Sequence, residues 1–281
     1  MEKQDKYMIE IKNPKERTEQ DFDRKAPKPS HIQLFRDLAA RPDNTRSVDQ
    51  CLLILSTPRC GSTLFSEALN SCGRLGRCDE WLNYDYFYTY LHLFGGKFKL
   101  TDYVDFIERK TPRNTGVFCL KMHVGQLIEM NQDPDLGLEA INANHVVYLY
   151  RKDKIAQAVS LCKADVSQQF RSYEKVQAQP TTDRQGISSA LCNIIINDCF
   201  AREYLMASVD VSYAYEDFRQ LSTESTRADR SYSEVLEALG KAHPSRRQRY
   251  QFTAGDLKKQ ANGQSRKVAA DFQSYILGEK E

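Results

Sequence analysis

Four short apolar runs punctuate the chain. They are Leu52–Leu55 (LLIL), in a segment that opens near Cys51, and then Val117–Met122 (VFCLKM), His145–Tyr150 (HVVYLY) and Val209–Tyr215 (VDVSYAY). Their length and their β-branched and aromatic content predict buried strands. Helical periodicity lies between them. Ile155, Val159, Cys162 and Val166 fall at i, i+4, i+7 and i+11, while Asp153, Gln157 and Ser160 make a second stripe displaced by two residues, about 200° around a helix. The polar stripe is therefore expected to face away from the apolar one, with Ser160 towards a sheet edge or cleft. Ile187, Leu191, Ile194, Ala201 and Leu205 predict one long helix over 187–207. A short helix is expected at His31–Ala40, another after Tyr215 towards Gly240, and a solvated basic loop at Lys241–Arg249. Strands and helices in alternation predict an α/β fold with a central parallel sheet flanked by helices, right-handed crossovers, and ligands at the carboxyl ends of the strands.

Residues 1–48 mix charges and prolines with few large apolar side chains and read as an N-terminal extension ordered in part; residues 49–281 read as a single α/β domain. Trp81–Phe94 (WLNYDYFYTYLHLF) concentrates aromatics ahead of two glycines. That run suits a core, a wall of a carbohydrate cleft or an oligomer interface.

Composition narrows the classes. A formal charge of +2 over 281 residues provides no general polyanion-binding field, so nucleic acid is not an expected partner and any anion site must be built from a few aimed cations. The charged N-terminus lacks the apolar stretch of a secretory signal, and no run approaches the ~18 apolar residues of a membrane span. The expectation is a cytoplasmic protein. Eight cysteines and five histidines are scattered without metal-ligand spacing, which predicts reduced thiols and no metal site.

The chemistry concentrates after the first strand, where LLIL runs into Ser-Thr-Pro-Arg-Cys-Gly-Ser-Thr and then into LFSEALNSC. A strand, a tight turn and a helix N-terminus, in that order, form an anion site from backbone N–H groups. Gly61 permits close approach, Ser62 and Thr63 add hydroxyls, and Arg59 supplies the cation ahead of the turn. The triphosphate-binding pattern G-x-x-x-x-G-K-[ST] is absent, so the loop is P-loop-like only. A second clamp follows HVVYLY, where Arg151 stands at a strand end and Ser160 on the next helix can share a phosphate with it. Nucleoside triphosphatases place an Mg²⁺-holding Asp at the end of a strand of the sheet; a cation there suits a second phosphate instead.

With both clamps in view, the chain resembles the bacterial sulfotransferases of the trehalose 2-sulfotransferase family, which use 3′-phosphoadenosine 5′-phosphosulfate (PAPS). The resemblance covers about residues 51–275 and rests on TPRCGSTLFSEAL, GRLGRCDEWLN, LKM, RKDKIAQAVSLCKA and LKKQAN. It implies a sulfotransferase fold, with Arg59, Cys60, Gly61, Ser62 and Thr63 at the 5′ end of the donor, Arg151 and Ser160 at its 3′-phosphate, Lys121 near the donor, and Glu80 as general base. It further implies a carbohydrate, glycolipid or other small-molecule acceptor, a homodimer and no metal. Cys60 stands where a Ser is common, and Val268 and Asp271 replace the Trp and Arg usual in the last helix. A P-loop kinase and an inactive, sulfotransferase-derived binding protein are the competing readings.

Overall fold

Gln50–Ser56, rich in Leu and Ile, forms a strand whose side chains are buried beyond the first. The computed structural model describes residues 8–9, 27–45, 47–73, 75–95, 98–112, 115–130, 138, 141–167, 183–219, 227–239 and 263–278. Its strands are β1 (Met8–Ile9), β2 (Gln50–Ser56), β3 (Phe98–Lys99), β4 (Val117–His123), β5 (His145–Tyr150) and β6 (Val211–Ala214). Its helices are α1 (Pro29–Ala40), α2 (Ser62–Ser71), α3 (Tyr84–Phe94), α4 (Leu100–Lys110), α5 (Val124–Met130), α6 (Lys154–Ser167), α7 (Arg184–Phe200), α8 (Tyr215–Phe218), α9 (Arg227–Ala238) and α10 (Gly263–Ile276).

The fold is α/β, with a four-stranded parallel sheet ordered β4-β2-β5-β6 and flanked by helices. β5 pairs with β6 in parallel, Val147 opposite Val211 through Tyr150 opposite Ala214. Strand order reverses at β2, which makes the turn after β2 a topological switch point, the usual ligand position in open α/β sheets. β1 and β3 form a separate antiparallel pair.

The chain divides into two compact units. One comprises Met1–Leu53, Leu75–Met122 and Gln126–His145. Here the aromatic run is core: Trp81, Tyr86 and Phe87 are buried with Phe35 of α1 and Tyr103 of α4. Phe87 meets Tyr103 edge-on at 4.8 Å between ring centroids, and the Tyr103 hydroxyl donates to the Trp81 carbonyl at 2.6 Å. An aromatic ring brings a large apolar area, so these contacts anchor α1, α3 and α4 together. The helix expected at His31–Ala40 begins at Pro29, a residue suited to the first turn because its missing N–H would be unpaired there anyway.

The second unit comprises Ile54–Arg74, His123–Gly125 and Val146–Glu281. Phe65 of α2 packs with Tyr213, Phe218 and Tyr232, and a second cluster joins α6, α7 and α10 through Val159, Cys162, Ile187, Ile194 and Phe272. Three expectations need correction here. The final strand is shorter, Val211–Ala214. The helix expected over 187–207 ends at Phe200 and continues as a π turn, Ala201–Leu205, and a 3₁₀ turn, Met206–Ser208; the wider turn keeps Ala201 and Leu205 buried while the hydrogen-bond pattern changes. In α6 the apolar stripe stops short of Val166, which is exposed, and Gln157 of the polar stripe is fully buried, because it packs against the turn after β2. LKKQAN and Lys241–Arg249 lie outside the described residues.

Candidate functional site

In the second unit, β2 delivers the chain into a turn with two left-handed residues, Arg59 at φ 62° and Gly61 at φ 86°. Such alternation curls successive backbone N–H groups towards one point, the geometry of an anion-binding nest. Helix α2 starts immediately afterwards, and its N-cap, Gly61, offers no capping side chain. The first N–H groups of a helix lack intrahelical partners, which favours an anion there. Ser62 is buried and Thr63 half-buried in this first turn, and Cys60 is buried between the two left-handed residues. Gly61 is required twice over. Besides its φ, a Cβ at this position would collide with Cδ2 of Tyr215 and lie 2.9 Å from Cε2 of the same ring.

Helix α6 holds the turn. The Arg59 Nε donates to Ser160 Oγ at 3.1 Å, across 101 residues of sequence. One turn earlier, Gln157 Nε2 donates to Thr57 Oγ1 at 2.9 Å and to the Pro58 carbonyl at 2.7 Å. Both stripe residues therefore point at the same five-residue turn. The Gln157 Oε1 is buried without a hydrogen-bond partner.

Arg151, one residue past β5, presents its guanidinium to the Tyr215 ring, 5.0 Å from the centroid. Its Nε lies 3.9 Å from Glu216 Oε1, too far for a hydrogen bond, and is buried without one. Glu216 instead accepts from the backbone N–H groups of Lys152, at 3.0 Å, and Asp153, at 3.3 Å. It thus fixes the start of α6, the structural role expected of a carboxylate near a helix N-terminus. Tyr215 contacts both the Gly61 turn and Arg151. Within β5, burial raises the Tyr148 phenol far above its ordinary value, with the neighbouring Asp198 charge acting in the same direction; the hydroxyl donates to Asp198 Oδ1 at 2.8 Å, and Lys154 pairs with the same carboxylate.

In the first unit, Glu80 and Lys121 form a pair of their own. Lys121 Nζ lies 2.7 Å from Glu80 Oε1, with the lysine side chain 1% and the glutamate 19% exposed. Asn83 Nδ2 donates to the other carboxylate oxygen at 3.1 Å. The backbone beneath is held as well: Asp79 Oδ1 accepts from the Glu80 N–H at 2.8 Å, and the Lys121 N–H donates to the Asp79 carbonyl at 2.9 Å. Both oxygens of Glu80 are thus oriented.

A family model for Stf0 sulphotransferases matches residues 51–274. The chain belongs to the Stf0 sulphotransferase family. Comparison with curated proteins finds no match. Membership in the Stf0 family makes the chain a sulfotransferase and implies PAPS as its donor. The second unit of this Stf0 chain fits a nucleotide with two anionic ends: a nest opens a helix, and a buried guanidinium nitrogen lacks a hydrogen-bond acceptor. Among the described residues no group of three or more His, Cys, Asp or Glu side chains could hold a metal ion, and no helix is long and apolar enough to cross a membrane. All eight cysteines are free thiols.

Sequence reasoning missed Tyr215 as the ring between the turn and Arg151, and Gln157 as a holder of the turn. Gln157 carried a legible signal, since it shares the Ser160 stripe. It also missed Ser56 Oγ beside His123 Nδ1, 2.9 Å apart at the ends of β2 and β4, for which no spacing pattern existed.

Proposed function

We propose that the chain transfers a sulfuryl group from PAPS to a hydroxyl of a carbohydrate or glycolipid acceptor, with Glu80 as general base. The observation that carries the reading is the Arg59–Ser160 hydrogen bond, which joins the turn after β2 to the helix after β5 and so links the two anion clamps. The donor supplies an activated sulfuryl group. In the transfer the bond from sulfur to the bridging phosphate oxygen breaks, a bond from the acceptor oxygen to sulfur forms, and the hydroxyl proton leaves.

Each job falls to named residues. Arg59 and the N–H groups of Cys60, Gly61, Ser62 and Thr63 meet the charge growing on the leaving 5′-phosphate, and they do so without reorganising. Arg151 and Ser160 bind the 3′-phosphate, which gives the buried Arg151 Nε its acceptor. Glu80 takes the hydroxyl proton; its partners Lys121 and Asn83 hold the carboxylate in one orientation, as a base within hydrogen-bond reach of its proton requires. Lys121 adds a cation near the donor.

Calorimetric titration tests the reading. Micromolar binding of 3′-phosphoadenosine 5′-phosphate in EDTA, with little response to ATP and Mg²⁺, is expected, and labelled PAPS should then pass sulfate to members of a sugar and glycolipid panel. Preference for Mg·ATP would overturn it in favour of a kinase. Bisphosphate binding with no transfer to any acceptor would mark an inactive binding protein. Arg151→Ala should weaken the 3′,5′-bisphosphate at least tenfold more than adenosine 5′-phosphosulfate, which lacks the 3′-phosphate; equal losses would remove Arg151 from the 3′ clamp.

A further inference from the structure

The four strands of the parallel sheet end in chemically different residues. β4 closes on His123, β2 on Ser56, β5 on Tyr150 with Arg151 next, and β6 on Ala214 with Tyr215 next. All of these residues belong to the second unit, together with the turn after β2. Along the carboxyl edge they follow in the order His123, Ser56, Arg151, Tyr215, one strand apart, or about 4.8 Å per step. Three of the four ends carry the anion clamps: the Arg59–Thr63 turn follows Ser56, Arg151 follows β5, and the Tyr215 ring meets both Gly61 and Arg151. The fourth end is His123. Its ring is half-buried, and its Nδ1 lies 2.9 Å from Oγ of the fully buried Ser56.

The order along the edge gives the donor a direction. With its 3′-phosphate at Arg151 and its 5′-phosphate over the turn after β2, PAPS runs from the end of β5 towards the end of β4. The sulfuryl group is attached beyond the 5′-phosphate, so it comes to lie on the β4 side, where His123 stands. We infer that His123 holds the sulfuryl group of the donor: the Ser56 hydroxyl donates to Nδ1, which keeps the ring proton on Nε2, and Nε2–H donates to a non-bridging sulfuryl oxygen. The inference rests on PAPS as donor and on the assignment of its two clamps. His123 takes no proton in the transfer, and the oxygens it holds stay on sulfur while the bond to the bridging oxygen breaks. Its contribution is orientation, since attack succeeds only with the acceptor hydroxyl, sulfur and bridging oxygen in line. The contact also distinguishes donor from product, because 3′-phosphoadenosine 5′-phosphate has no sulfuryl group to hold. A residue that merely tied β2 to β4 would be felt alike by donor and product, as both use the turn after Ser56.

Calorimetry with PAPS and with 3′-phosphoadenosine 5′-phosphate, each without acceptor, separates the two roles. His123→Ala should weaken PAPS about tenfold and the bisphosphate less than about twofold. Its kcat should fall roughly 10²-fold, the cost of a misplaced reacting group. His123→Gln carries an N–H donor near the position of Nε2 and should recover most of the PAPS affinity, whereas His123→Leu should recover none. Ser56→Ala releases the ring and should weaken PAPS by less than His123→Ala does, with the bisphosphate unchanged. Should the alanine variant at 123 fail to fold, the comparison of glutamine with leucine decides. Equal weakening of both ligands, unaltered PAPS affinity, or a glutamine variant no better than leucine would overturn the inference while leaving the sulfotransferase reading intact. Failure of that reading looks different: a wild type that binds neither ligand, or prefers Mg·ATP, rejects the donor and this inference with it.

Discussion

Arg59 holds a left-handed backbone, φ 62°, that a non-glycine residue adopts at a cost, and it does so beside the equally left-handed Gly61. Strain at a residue whose guanidinium reaches across to Ser160 separates into a backbone part and a side-chain part. Arg59→Gly removes both, whereas Arg59→Ala removes only the side chain. The glycine variant should be more stable than the alanine variant by about 1 kcal/mol in urea denaturation, with donor affinity lost in both. In the proposed function Glu80 acts in the chemical step alone. Glu80→Gln should lower kcat by roughly 10²–10⁴ while calorimetry finds bisphosphate binding unchanged; turnover near wild type would remove Glu80 from proton transfer.

At the scale of elements, α6 does two things at once. Val159 and Cys162 pack on α7 and α10, and Gln157 and Ser160 grip the turn after β2. A helix buried on two sides in this way transmits its position to the loop. Gln157→Leu keeps the volume but strips the Thr57 hydroxyl and the Pro58 carbonyl of their buried donor, which should destabilise the chain by about 1–3 kcal/mol. Because Gln157 touches the turn and is assigned no contact with the donor, its loss should weaken bisphosphate affinity and leave acceptor KM unchanged. A stability loss with unaltered donor affinity would reduce Gln157 to a packing role.

The whole molecule should be sensitive to alkali. Burial pushes the Cys51 thiol up to about 12 from an ordinary value of 9.0, with nearby Glu108 and Cys78 acting in the same direction. Burial also raises the phenols of Tyr103 and Tyr148. Each group keeps its proton in the folded chain at a pH where the unfolded chain gives it up. Stability is therefore whole below pH 9 and falls as pH rises from 9 to 12, by about 1.4 kcal/mol per pH unit for Cys51 alone. Urea midpoints between pH 8 and 11 should show this decline, and Cys51→Ala should reduce its slope; an identical slope would contradict the assignment.

The linear pattern determined the parts whose physics is local. Strong apolar runs identified β2, β4 and β5, the strand-turn-helix order identified the turn at Arg59–Gly61 and the start of α2, and Ser160 followed from periodicity on α6. Tertiary structure decided what a period cannot report, namely which side of a helix has a partner. The polar stripe of α6 was legible as lying opposite the apolar one and towards a sheet edge or cleft, and only the turn packed against it reveals the two buried hydrogen bonds of Gln157. The π turn at Ala201–Leu205 was invisible for a similar reason, since Ala201 and Leu205 keep the spacing of a regular helix while the backbone bonds change. Tyr215 and Glu216 are consecutive residues at a strand end, yet one touches Gly61 and Arg151 and the other fixes the N–H groups of Lys152 and Asp153. Those contacts span more than 60 residues of chain, and the proximity of Arg151, Lys152 and Asp153 to Tyr215 and Glu216 arises from the pairing of β5 with β6, which no local pattern encodes.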